Sequence, residues 1–389
     1  MDHHLSSAVL ELQERARAVV ERDIAPKAAQ VDAECLWPAH SMKALAAAGL
    51  AGLQVPAELG GLGQRLLALS VLTETIGRIC PSSALCFGMH CVGTAVLAAK
   101  ATDLQKEKYL VPIAQGKHTT SLALSEAGTG GHFYISATTL AEEGESFIVD
   151  GEKQFITNGG HADSYVISTV AQDVATGSQS GDFSCLVLDA DTPGLEWQQA
   201  WAGFGMRGNS SRGLLIHKAR VPRGNLLGNK GDQVWYVFEV IAPFFLMAMA
   251  GTYLGIAQSA VEATGMHLRS RKYSHTGDAL GEIDALQSRY AAMWIALEKS
   301  RGLVREAASR GDAAHPEALP FILACKADAA ETAVHLANEA MSLCGGIAYR
   351  ENSRLAQMLR DARAGHVMAP TTDLLKLWLG RALLGVPLL

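Results

Sequence analysis

The sequence has little of what marks several large protein classes. Its 389 residues carry no dense block of lysine and arginine, and 33 basic against 39 acidic side chains leave a formal net charge of −6. That argues against a nucleic-acid-binding surface. Seven cysteines fall at irregular spacing, and one is left over in any pairing within a monomer. A reducing compartment, expected to be cytoplasmic, fits this better than a disulfide scaffold. Cys86, His90 and Cys91 lie close together, but no fourth ligand follows at a recognisable spacing, so they read as core and no metal is expected. There is no internal repeat or low-complexity tract, and Met1 to Glu21, amphipathic and containing acids, does not fit a signal peptide. The apolar run from Val234 to Ala257 is broken by Glu239, Pro243 and Gly251 and lacks a basic flank. A buried helix is expected there and no membrane span.

What is present is a chain long enough, at 49% hydrophobic, to bury a large core in two or three domains. Helical spacing covers Leu5–Arg22, Pro38–Ala48, Leu66–Arg78, Ser82–Ala99 and Asp103–Ala114, with Asp103 as N-cap. From Thr119 the texture changes to short β-type runs at Ser164–Val170, Phe183–Asp189 and Gly213–Lys218, with turn residues between them. Helical runs return over Val234–Ser270, Ile283–Arg310, Pro316–Leu343 and Thr372–Leu384. The division expected is 1–118 helical, 119–229 β, and 230–389 helical bundle.

One stretch organises the rest. Ser125-Glu126-Ala127-Gly128-Thr129-Gly130-Gly131 is a glycine-dense turn where backbone N–H groups can approach a large ligand closely. Phe147–Gly151 and Lys153–Thr157 then read as a hairpin about an Asp150-Gly151 turn, ending in Phe155-Ile156-Thr157-Asn158-Gly159.

In this order the two motifs resemble the flavin-binding loop and the Trp-Ile-Thr-Asn-Gly segment of the acyl-CoA dehydrogenase family. Pro56-Ala57-Glu58-Leu59-Gly60-Gly61, Gly205-Met206-Arg207, Val221-Pro222 with Asn225-Leu226-Leu227-Gly228, and Arg360-Asp361-Ala362-Arg363 extend the resemblance over essentially the whole chain. It implies an α+β fold with an N-terminal all-α domain, a central β-barrel or sandwich and a C-terminal four-helix bundle. It also implies FAD. Ser125 and Thr157 would hydrogen-bond the flavin, Phe155 would wall it in place of the usual Trp, and Gly130, Gly131 and Thr371 would complete the contacts, Gly131 standing where a phosphate-binding Ser is usual. Arg271 and the Gly345-Gly346 loop would serve a neighbouring subunit's cofactor, implying a homodimer or homotetramer.

The resemblance breaks at the base. Dehydrogenation of an acyl-CoA needs a carboxylate within reach of the α-proton, yet the position of the family's Glu is Ala369 and the alternative position falls near Phe245. His366 and Asp373, one turn to either side of Ala369, are the candidate replacements; Asp373 is equally an N-cap for the last helix. His132, after the glycine loop, reads as a turn residue. Three functions follow: an FAD-dependent oxidoreductase taking a hydride from an acyl thioester or related substrate with a non-standard base, a monooxygenase of the same fold using reduced flavin and O2, or a degenerate partner subunit. An electron-transfer flavoprotein or a flavin reductase would be the redox partner.

Overall fold

The computed structural model describes residues 5–172 and 179–388. Helix α1 (Ser7–Val19) starts where the Ser6 hydroxyl accepts the Val9 N–H at 3.3 Å, and it buries Val9, Leu12, Ala16 and Val19 as one stripe. Helices α2 (Ala39–Ala47), α3 (Leu66–Gly77) and α4 (Pro81–Ala99) follow, with Pro81 in the first turn of α4, where no N–H is needed. The short helix Asp103–Gln105 corrects one expectation: Thr102, not Asp103, caps it. Its hydroxyl accepts the Gln105 N–H at 3.3 Å while Gln105 Oε1 accepts the Thr102 N–H at 3.1 Å, a reciprocal pair that Asp103, already inside the helix, cannot form.

Strands β1 (Thr120–Ala123), β2 (Thr139–Glu143), β3 (Ser146–Ile156), β4 (Ser164–Gln172), β5 (Gln179–Asp189), β6 (Leu195–Trp197) and β7 (Arg212–Pro222) form one sheet, ordered β1-β4-β2-β3-β7-β6 with β5 paired to β4. Alternation gives the strands two jobs. Val166, Cys185 and Val187 join the helical core, whereas Tyr165, Ile167, Leu186 and Leu188 face a second core with Phe147, Val149 and Ile216.

The turn expected at Asp150-Gly151 is not a hairpin. β3 runs straight through it, and the hairpin lies earlier, between β2 and β3. Asp150-Gly151 is instead an irregularity in the β3–β7 ladder, with Gly151 at φ +148° and Thr138 Cα 2.8 Å from where a Cβ would stand, so that only glycine fits.

The C-terminal part opens with a helical run from Gln233, π-helical over Tyr236–Ile241, that continues as α5 (Ala242–Ser270). Then come α6 (Asp284–Asp312), α7 (Ala318–Cys344), α8 (Arg354–Val367) and α9 (Thr372–Leu384). Helix α8 is absent from the sequence-based runs because its buried face mixes Leu355, Met358 and Ala362 with Gln357, Asp361 and Gly365, which weakens the apolar period. Two stretches, α4 and Gln233–Ser270, are long and apolar enough to cross a membrane, but 89% of each apolar window is buried inside the protein. They are core helices. All seven cysteines are free.

Candidate active site

Segments from the β domain and the bundle close on one cavity of about 770 Å³. The first wall is the loop after β1. Ser125 and Gly130 face the cavity because Glu126 turns inward and is tied down beneath them: its carboxylate accepts Ser136 Oγ at 2.6 Å, the Ala137 N–H at 2.6 Å and Thr138 Oγ1 at 2.8 Å, and pairs with the buried Lys153 ammonium. Lys153 also donates to Ser168 Oγ at 3.0 Å. Burial alone would raise the Glu126 carboxyl, but the Lys153 charge and these donors outweigh it and hold Glu126 below the usual carboxylate range. Gly130 has φ +53° and no protein atom within 4 Å of an added Cβ, so this stretch of backbone fronts open space.

The second wall is the end of β3. The Gln154 N–H donates to Ser125 O at 2.7 Å and Ser121 Oγ donates to Thr157 O at 2.7 Å, which sets the two segments side by side. Asn158, at φ +62°, donates from Nδ2 to Cys86 O at 2.9 Å and accepts the Trp37 indole N–H at 2.9 Å. Phe155, at φ +55°, is turned outward and is 65% exposed. A left-handed backbone at an aromatic residue costs about 1–2 kcal/mol and persists where the surroundings impose it. Its ring meets Trp201 edge-on at 6.3 Å.

The third wall is the Trp201–Met206 loop, fixed by α8. Asp361 Oδ1 accepts the Met206 N–H at 2.6 Å, and Arg360, ion-paired with Asp32, donates to Phe204 O at 3.0 Å. A Cβ on Gly205 would lie 2.2 Å from Arg360 O, so loop and helix touch backbone to backbone.

The last wall is α8 and the turn after it, from Arg363 through Ala369 and Pro370 to Thr371. Lys326 of α7, fully buried, donates to Gly365 O at 2.7 Å, Pro370 O at 2.9 Å and Met368 O at 3.2 Å. Burial pulls its ammonium down to about 7, against the neighbouring Cys325, which raises it.

Of the residues singled out from sequence, Ser125, Gly130, Gly131, Phe155, Thr157 and Thr371 all line this cavity. Arg271 and Gly345-Gly346 do not. Arg271 follows the C-terminal end of α5 while Ala242 at its start lines the cavity. At 1.5 Å per residue, the helix separates the two by about 40 Å.

His366 and Asp373 are corrected as groups aimed into the cavity. Neither lines it: His366 lies between the cavity-facing Ala364 and Val367 with Nδ1 buried and unpartnered, and Asp373 is exposed on the first turn of α9. Burial, then Arg363, lowers the His366 imidazole below its ordinary value. Thr371 and not Asp373 caps α9, its hydroxyl accepting the Leu374 N–H at 3.3 Å, because Asp373 already lies within the helix. Among the described lining residues the sole carboxylate is Glu126, which is engaged, and no histidine or cysteine is present. No group of three or more His, Cys, Asp or Glu among the described residues is placed to hold a metal.

The chain matches the family models for the acyl-CoA dehydrogenase N-terminal domain over residues 6–117, the middle domain over 121–219 and the C-terminal domain over 245–384. It is 30% identical over 367 residues to the mitochondrial short-chain specific acyl-CoA dehydrogenase of Bos taurus, covering 94% of this chain and 87% of that protein. The chain belongs to the acyl-CoA dehydrogenase family. Another acyl-CoA dehydrogenase relative, the cyclohex-1-ene-1-carbonyl-CoA dehydrogenase of Geobacter metallireducens, is 29% identical over 383 residues, covering 98% of this chain and 99% of that one. The solved glutaryl-coenzyme A dehydrogenase–glutaryl-CoA complex superposes with a TM-score of 0.90 at 25% identity, covering 100% of this chain and 98% of that one.

FAD is the cofactor of acyl-CoA dehydrogenases, and the residues here fit it. The cavity is large, mostly apolar and fronted by the Cβ-free backbone of Gly130; Phe155 is held outward against its conformational preference; and the Trp201 indole N–H in the wall is buried without an acceptor. Sequence reasoning missed the Glu126–Lys153 pair, Trp201, Phe204 and Lys326. A signal existed for the pair: Lys153 follows the strand alternation onto a buried face, where a lysine requires a partner. None marked Trp201 or Phe204.

Proposed function

We propose that this protein is an FAD-dependent oxidoreductase that takes a hydride from an acyl thioester or a related substrate, and that the accompanying proton leaves to solvent and not to a side-chain base. The observation that carries the reading is the complete flavin-type wall, with Ser125, Gly130, Phe155 and Thr157 gathered on one cavity, facing Ala369 where the family's carboxylate would stand. When bound, FAD supplies the two-electron acceptor. Ser125 and Thr157 would hydrogen-bond its ring, Phe155 and Trp201 would flank it, and the apolar turn at Met368–Pro370 would pack against the acyl chain while leaving its reacting carbon open to water.

The test is anaerobic. The FAD-loaded protein is mixed with a panel of acyl-CoA thioesters, and bleaching of the flavin absorbance is followed from pH 5 to pH 10. With solvent as the proton acceptor, the rate rises steadily with pH. A plateau above a pKa of 5 to 7 would instead identify a side-chain base, His366 first, and overturn the solvent assignment.

A second reading has its own observation. The acid-free lining at Ala369-Pro370 equally suits a monooxygenase that receives reduced flavin from a reductase. Absence of bleaching with every thioester, together with rapid O2 consumption when reduced flavin is supplied, favours it. For the oxidoreductase reading, an electron-transfer flavoprotein is the proposed acceptor. We also propose a homodimer or homotetramer, because Arg271 lies about 40 Å along α5 from its own cavity and Gly345-Gly346 does not line it; a sedimentation mass equal to one chain would contradict this.

A further inference from the structure

The face of α8 that lines the cavity carries Arg360, Arg363, Ala364 and Val367, at the spacing of one side of a helix. Arg360 is engaged by Asp32 and by Phe204 O. Arg363 is exposed on its outer edge and has no ion pair or hydrogen bond among the described residues. Nothing negative in the cavity is free to receive it, since Glu126, the sole carboxylate of the lining, is held by Lys153. A second donor lacks an acceptor as well: the Trp201 indole N–H, on the loop that α8 holds in place, is buried in the same cavity wall. An apolar chamber with one unpaired guanidinium and one orphan N–H, and no free acid, is complementary to a ligand that brings its own oxyanion.

We propose that Arg363 is a specificity-determining residue that binds an oxyanion of the ligand. The favoured source is a carboxylate carried by the acyl group of the substrate. From Arg363 the lining continues through Ala364, Val367 and Met368 to Ala369 without another charged side chain, an apolar path for an acyl chain that ends at the arginine. The same chemistry is offered by a phosphate of coenzyme A or of FAD, and the measurement separates these sources. The assignment rests on the acyl-thioester reading above.

The experiment uses the FAD-loaded protein and its Arg363→Gln variant, titrated with glutaryl-CoA, butyryl-CoA and coenzyme A by perturbation of the flavin spectrum. FAD retention and thermal unfolding are measured in parallel. Expected is a loss of at least tenfold in affinity for glutaryl-CoA, with butyryl-CoA, coenzyme A, FAD retention and the unfolding midpoint unchanged. Equal losses for all three probes support the oxyanion site with a coenzyme A phosphate as its source. Weakened FAD retention supports it with a cofactor phosphate as its source. Unchanged affinity for all three probes and for FAD overturns it. If the wild-type protein holds FAD but binds none of the probes, the thioester reading fails first, and the acyl-carboxylate assignment falls with it.

Discussion

The two sides of the cavity are held in opposite ways. On the β-domain side the fold depends on particular side chains: Glu126, Lys153, Ser136 and Thr138 form one buried hydrogen-bonded cluster, and Asn158, also buried, bonds to Cys86 O and Trp37. On the α8 side the turn from Gly365 to Pro370 is held through its main-chain carbonyls by one lysine, and Val367, Met368, Ala369 and Pro370 line the cavity. By the motif resemblance, the missing carboxylate falls at Ala369 on the second wall, and the lining residues of the first wall match the flavin motifs except at Gly131 and Phe155.

That contrast can be broken most forcefully at Glu126. Glu126→Ala leaves the Lys153 ammonium buried and unpaired, with an expected cost of about 3–5 kcal/mol, read by urea unfolding. A loss below about 1 kcal/mol would mean the pair is not what holds the loop. Lys326→Met strips three carbonyls of their donor and is expected to cost about 3 kcal/mol, with new protease cleavage near Met368 as a local readout. Unchanged stability and cleavage would show the turn is held by packing alone.

Asp361 sharpens the comparison through pH, because it belongs to α8 yet holds the Trp201–Met206 loop by side chain. Burial first, and then Asp32, push its carboxyl up to about 6, against the Met206 N–H that lowers it. The folded state therefore binds a proton between about pH 4 and 6 that the unfolded chain has released, so stability falls as pH rises through that window, by about 3 kcal/mol at most. Asp361→Asn keeps an acceptor for Met206 and is expected to flatten the slope. An unaltered slope would place the titration elsewhere. The smallest contrast concerns α9: Thr371→Ala is expected to cost about 1 kcal/mol as the loss of an N-cap, and Asp373→Ala at most a few tenths. Equal effects would remove the distinction between them.

Much of this architecture is legible in the sequence because periodicity and local chemistry point the same way. The long bundle helices and the runs at Ser164 and Phe183 show it, and so do the glycine loop and Thr157, which carry local motifs. Helix α8 is hidden because Gln357 and Asp361 are buried through hydrogen bonds, Gln357 Nε2 donating to Asp361 within the helix and Asp361 accepting the distant Met206 N–H. The Asp150-Gly151 pair misleads because β3 pairs with β7 on both sides of it, and the pair is absorbed as an irregularity in the ladder instead of reversing the chain. His366 fails as a group aimed at the cavity for a geometric reason: a helix presents residues 363, 364 and 367 on one face, and 366 points away from it.

The most direct measurement is to return a carboxylate to the backbone-held wall. FAD-loaded wild-type protein and Ala369→Glu are mixed anaerobically with butyryl-CoA, and the rate of flavin bleaching is compared alongside the unfolding midpoint. If the cavity is an acyl-CoA dehydrogenase site that lacks only its base, the variant folds with a stability change within about 1 kcal/mol and bleaches at least about a hundredfold faster, the usual contribution of a positioned general base. Equal rates in the two proteins, with the variant folded and its FAD retained, would contradict it.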